Sequence, residues 1–104
     1  MSRSASLAAY FRAAAWRRLD RVEPNDDDRN ARSALALLDA AAYAADLPED
    51  DPLIIRLDEA GCFGLLGCDE FDPGEAGERL VRDWSGGEPH ELLLAIPQAM
   101  TTGA

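Results

Sequence analysis

"LPEDDPLIIRLDEAGC", residues 47–62, decides the fold, because its apolar centre LIIRL suits a helix and a strand equally well. Its flanks break the tie. Asp51 stands directly before Pro52, and an acid at the N-cap with proline at the first helical position marks a helix start, where proline's missing N–H costs nothing. Gly61 then stands where a left-handed residue ends a helix. In that register Cys62 follows the terminating glycine, and the helix-ending motif lays it against Leu57 as a small apolar contact. The competing parse pairs LIIRL with CFGLLG as two strands around Asp58-Glu59-Ala60-Gly61. The expected fold is therefore all-α, a compact bundle of four to five short helices. An α+β arrangement with one small hairpin around residues 53–66 is the alternative.

Upstream, Ser4 to Val22 reads as a helix, rich in alanine and leucine, with serines for N-caps and Pro24 beyond its end. At 3.6 residues per turn Leu7, Phe11, Ala15, Leu19 and Val22 share the core side, and Trp16 falls nearly opposite. Arg17, Arg18 and Arg21 sit in the last turns, where cations offset the negative end of the helix dipole. "EPNDDDRNAR" is a loop whose three aspartates would meet the positive start of a second helix, Arg29 to Asp46. A run of aspartates alone does not make a shaped calcium loop. On that second helix only Arg32, Asp39 and Asp46 form a polar stripe, so it reads as the middle of the bundle, or as an alanine-rich face for a second copy of the chain.

Downstream, "FDPGEAGERLVRDW" offers Asp72 as N-cap, Pro73 at the first position and Glu75 as the acid of a capping box. Glu75–Arg79 and Glu78–Arg82 are acid-first pairs four apart, with Leu80, Val81 and Trp84 on the other face. Pro89 opens a last helix, PHELLLAI, which Pro97 is expected to stop or kink; ELLLAI is also short enough for a buried strand. The chain reads as one domain over 1–104, frayed at 1–3 and 101–104.

Between the two halves, "AGCFGLLGCDEF" reads as a joint in which Phe63, Leu65 and Leu66 dip into the core or, if exposed, form a docking surface. Its cysteines, Cys62 and Cys68, are separated by five intervening residues rather than the two of a thioredoxin-type pair, and the only histidine is His90. A zinc site would need carboxylates to complete it. A reactive centre from Cys62, Cys68 and His90 would depend wholly on the fold bringing them together. Gly74 in a calcium-loop register leaves Phe71, Pro73 and Leu80 at ligand positions. The sequence contains no phosphate-cradling GxxxxGK, no GxGxxG and no GxSxG. These patterns name no catalytic, cofactor or metal residue.

Charge bounds the partners. The net charge is −10, every basic residue is arginine, and residues 1–22 hold five arginines against Asp20 alone. The acidic remainder repels nucleic acid and anionic membranes and favours a basic protein partner. With no apolar run of about eighteen residues, and with arginines where a secretory leader would be apolar, the expected location is the cytoplasm. The expected function is that of a non-enzymatic acidic binding or regulatory protein working through protein–protein contacts, as a homodimer in one form, with Trp16, Phe63, Leu65 and Leu66 as the interaction surface. The alternatives are a small enzyme or metal protein using Cys62, Cys68 and His90, and an acidic mimic that fills another protein's nucleic-acid groove.

Overall fold

The computed structural model describes residues 2–21, 24–25, 29–63 and 70–102. Five helices follow one another along the chain: α1 Arg3–Leu19, α2 Arg29–Ala45, α3 Pro52–Glu59, α4 Gly74–Asp83 and α5 Pro89–Thr102. The described residues form an all-helical bundle, and the 53–66 hairpin is ruled out over its described part. The radius of gyration, 13.3 Å, matches the roughly 13 Å of a folded chain of this length.

α3 ends as its sequence dictates. Asp51 accepts the Leu53 amide at 2.9 Å, and at the other end Gly61 takes φ +89°. The Gly61 amide donates to the Asp58 carbonyl at 3.0 Å and the Cys62 amide to the Leu57 carbonyl at 3.1 Å. That pair of bonds is the Schellman termination, which buries Cys62 with Leu57.

α1 is tied at its start instead of frayed. Ser2 accepts the Ala5 amide at 3.1 Å, while the Glu49 carboxylate accepts the Arg3 amide at 3.1 Å and the Ser4 amide at 3.0 Å. Three of the four amides that a helix start leaves unpaired are thereby satisfied. Arg3 also reaches Glu49 at 3.2 Å and Asp58 at 3.1 Å, clasping the start of α1 to the approach to α3 and to α3's last turn.

The other end of α1 is fixed against the start of α2. Arg18 donates to the Asn30 side-chain oxygen at 3.0 Å, and Asn30 donates to the Arg21 carbonyl at 2.8 Å. With one helix's end beside the other's start at both extremities, α1 and α2 form an antiparallel hairpin. Leu7, Ala8, Phe11, Ala14 and Ala15 of α1 meet Ala34, Leu37, Ala40, Ala41 and Ala44 of α2 in the core, where small alanines permit close helix approach. Leu19 is 38% exposed, contrary to its expected place in the core stripe, because α1 ends there and its last turn runs past the buried layer. α2 is covered on one side and not surrounded: Leu35, Ala42 and Ala45 stay exposed.

Two local expectations give way to packing. Pro73 is drawn into the core with φ −80° and ψ 2°, so α4 begins one residue later than expected; Asp72 accepts the Gly74 amide at 2.9 Å, and no capping box through Glu75 forms. The Glu75–Arg79 and Glu78–Arg82 pairs do not close to ion-pair distance among the described residues. Pro97 does not stop α5, which continues to Thr102. Leu92, Leu93, Ile96 and Pro97 are buried and Met100 packs on the same core, enough apolar contact to offset the roughly 3 kcal/mol that an interior proline costs.

Candidate interaction surface

Cys62 is fully buried and its thiol is pushed up to about 11, by desolvation first and then by the negative charges of Asp72 and Asp58. A reactive thiolate requires the opposite shift. Its sulfur lies 3.3 Å from the Met100 sulfur, near the end of α5, whereas His90 is exposed on the first turn of that helix. Ten residues of helix separate Met100 from His90, about 15 Å along the axis. The fold therefore keeps Cys62 and His90 apart, and this corrects the reactive-centre alternative for that pair. Cys68, Leu65 and Leu66 lie outside the described residues, as do Val22 and the aspartates of the loop before α2. Among the described residues no three His, Cys, Asp or Glu side chains gather closely enough to hold a metal ion.

Phe63 is not a docking residue. It is fully buried, with its ring 5.4 Å from that of Phe71, which in turn stands edge-on to Tyr10 at 5.2 Å and tilted to Phe11 at 6.4 Å. Phe71 is the hub of this aromatic cluster, a role not evident from its place at the end of an acidic stretch. The signal available was its position immediately before a helix start, where an apolar residue commonly packs back on the helix it precedes.

What remains exposed lies on the hairpin. Trp16 is 62% exposed and Leu35 63%, with Leu19 one turn beyond Trp16 on α1. Arg12 is exposed one turn before Trp16; Asp39 is exposed on α2 and Asp46 just past its end. The outer surface of α1 thus combines an aromatic with a cation, and that of α2 combines an aliphatic with carboxylates.

A second feature was not legible from the charge distribution. Where α1 ends, α2 begins and α4 ends, a cleft of about 670 Å3 is lined by Arg18, Arg29 and Arg32 together with Asn30, Ser33 and Trp84. Arg18 was accounted for by the helix dipole and Arg32 by a polar stripe, while Arg29 marked only the start of the second helix; the antiparallel hairpin brings the three together. Ser33 donates to the Trp84 carbonyl, joining α2 to the end of α4 across the floor of this cleft.

Comparison with protein-family models, with curated proteins and with solved structures finds no match for this chain.

Proposed function

We propose that the protein is a non-enzymatic binding protein that works through protein–protein contacts on the outer face of the α1–α2 hairpin, with a second copy of the chain as its partner. The observation that carries this reading is the 62% exposure of Trp16 beside a helix partner that exposes Leu35. Burying a side chain of this kind stabilises by about 1.5–3 kcal/mol, and tryptophan is the residue most often found at the energetic centre of an interface. Charge supports self-association of this face. In a two-fold arrangement that lays α1 of one copy on α2 of the other, Arg12 meets the Asp39 and Asp46 side of its partner, and the same contact repeats on the other side of the axis. The burial and raised pKa of Cys62 favour a binding role over thiol chemistry.

Sedimentation equilibrium of the full chain over micromolar to millimolar concentrations tests this directly. A monomer–dimer equilibrium that Trp16→Ala shifts toward monomer, with helicity and melting temperature unchanged, is the expected result. A strictly monomeric chain, or association indifferent to Trp16→Ala and Leu35→Ala, overturns the reading.

A further inference from the structure

We propose that the narrow cleft between the last turns of α1 and α4 binds the phosphate group of a small, soluble phosphate monoester. Four arginines converge on it from two helices: Arg17 and Arg18 in the last turn of α1, Arg21 just past its cap, and Arg82 in the last turn of α4. None of the four makes an ion pair among the described residues. Glu78 is the one carboxylate among the described residues that line the cleft; Asp20 and Asp83 are exposed and do not line it.

The helix ends account for only part of this charge. Each carries roughly half an elementary charge, so the two ends and Glu78 together offset about two of the four cations. A phosphate monoester brings roughly the missing −1.5 to −2 and three strong acceptor oxygens. A carboxylate, with one charge and two oxygens, leaves half of the guanidinium forks unused. The net charge of −10 keeps extended polyanions such as nucleic acid or an anionic membrane at a distance, while a single small dianion can enter.

The walls suit that ligand. Ala14, Leu37 and Val81, all buried, make an apolar floor, over which charge pairs are stronger than in open solvent. Arg18 is positioned before any ligand arrives, because it donates to the Asn30 side-chain oxygen at 3.0 Å while Asn30 donates to the Arg21 carbonyl at 2.8 Å. That anchor is neutral, so Arg18 keeps its charge for the cleft. Two turns before Arg17, Tyr10 stands edge-on to Phe71 at 5.2 Å. Burial, and then the charge of Glu78, push its pKa up, so the Tyr10 hydroxyl remains a donor beside the Glu78 acceptor. Donor and acceptor there match hydroxyls on the ligand's carbon skeleton. The volume, about 240 Å3, lies below the roughly 300–1,000 Å3 of drug-sized sites and limits that skeleton to a few carbons.

The test is isothermal titration of the full chain at low salt with glycerol 3-phosphate, with inorganic phosphate, and with phosphatidylcholine vesicles containing phosphatidic acid. NMR of the two tyrosine rings accompanies it. The expected result is saturable one-to-one binding of glycerol 3-phosphate, tighter than that of inorganic phosphate and without binding to the vesicles, in which the Tyr10 signals move and those of Tyr43 stay. Arg17→Gln and Arg82→Gln, both exposed, are each expected to weaken it about tenfold or more. Arg56→Gln, on α3 and outside the cleft, is expected to leave it unchanged. No saturable heat at millimolar ester, affinity unchanged in both cleft variants, or an equal loss in Arg56→Gln overturns the proposal. An ester no tighter than inorganic phosphate, or binding to vesicles alone, overturns it as well. Because Arg17 and Arg82 stand on different helices, loss of fold in one variant leaves the other to decide.

Discussion

The Asp72 amide donates to the Cys62 carbonyl at 2.8 Å, which brings together the two ends of the segment joining α3 to α4. Cys62 is therefore held on both sides, by Leu57 through its amide and by Asp72 through its carbonyl. Its thiol is sealed beneath Met100.

From this follows a labelling prediction. In a Cys68→Ser background at pH 8, alkylation of Cys62 is expected to proceed only as fast as the domain opens, and to become immediate in denaturant. The sign of the pH dependence is set by a folded pKa of about 11 against an ordinary 9.0. The neutral thiol is favoured by the fold, so its contribution is complete below pH 9 and disappears as pH rises through 11. Rapid native labelling at pH 8 would refute the buried assignment.

Glu49 gives a second, at the acid end. Hydrogen bonds from the Ser4 amide, the Ser4 hydroxyl and Arg3 hold its carboxyl at about 2 rather than the ordinary 4.5. The folded state thus binds this proton less readily than the unfolded one. Its stabilisation is present above about pH 4.5 and is lost as pH falls through 2. Glu49→Gln is expected to cost about 1 kcal/mol at pH 7, discounted for the exposure of the clasp. Denaturant melts of the two proteins should converge between pH 4.5 and pH 2. A gap that stays constant over that range would mean the charge of Glu49 is irrelevant.

Gly77 reverses the usual helix rule. Alanine favours a helix interior over glycine by about 1 kcal/mol, yet a Cβ at 77 would stand 2.6 Å from the Pro73 Cβ and 3.4 Å from an Ile96 methyl. Because the close atom belongs to a buried proline ring, it cannot swing aside. Gly77→Ala should therefore destabilise by about 1–3 kcal/mol, read as a lower urea midpoint with unchanged slope; a raised midpoint would show that α4 shifts freely against α5.

Ser33→Ala removes the hydroxyl that bonds the Trp84 carbonyl, and is expected to cost about 0.5–1.5 kcal/mol, the net worth of a part-buried hydrogen bond. Ser33→Thr, which keeps the donor, should recover most of it. Equal losses in both variants would assign the effect to packing at a residue that is 4% exposed.

How much of this was legible in the sequence varied with the range of the interaction. The end of α3 was read down to the residue pair, because Asp51, Pro52, Gly61 and Cys62 act within a few positions of one another. Of the stop or kink expected at Pro97, the stop does not occur: a local rule ends the helix there, while contacts of Leu93 and Ile96 across the core carry it on to Thr102. The start of α1 depends on Glu49, 46 residues away from Arg3, and no first-turn acid announces it. Site residues followed the same division. Trp16 was correctly placed opposite the core stripe by helical periodicity alone. Phe63 was left between core and docking surface, since loops have no periodicity to say which side faces in, and its full burial settles it as core. The arginine cleft required knowing that α1 and α2 run antiparallel.

The clasp of Arg3 by Glu49 and Asp58 also sets an order of events during synthesis. A chain made from its N-terminus exposes α1 and then α2 before Asp58 has been added, so the first unit able to pair is the hairpin, with its amino end still unlatched. Its inner side waits for α4 and α5 to cover it. A nascent chain paused before residue 58 therefore leaves that inner side of the hairpin uncovered, and crowded synthesis of truncated chains should favour aggregation through it.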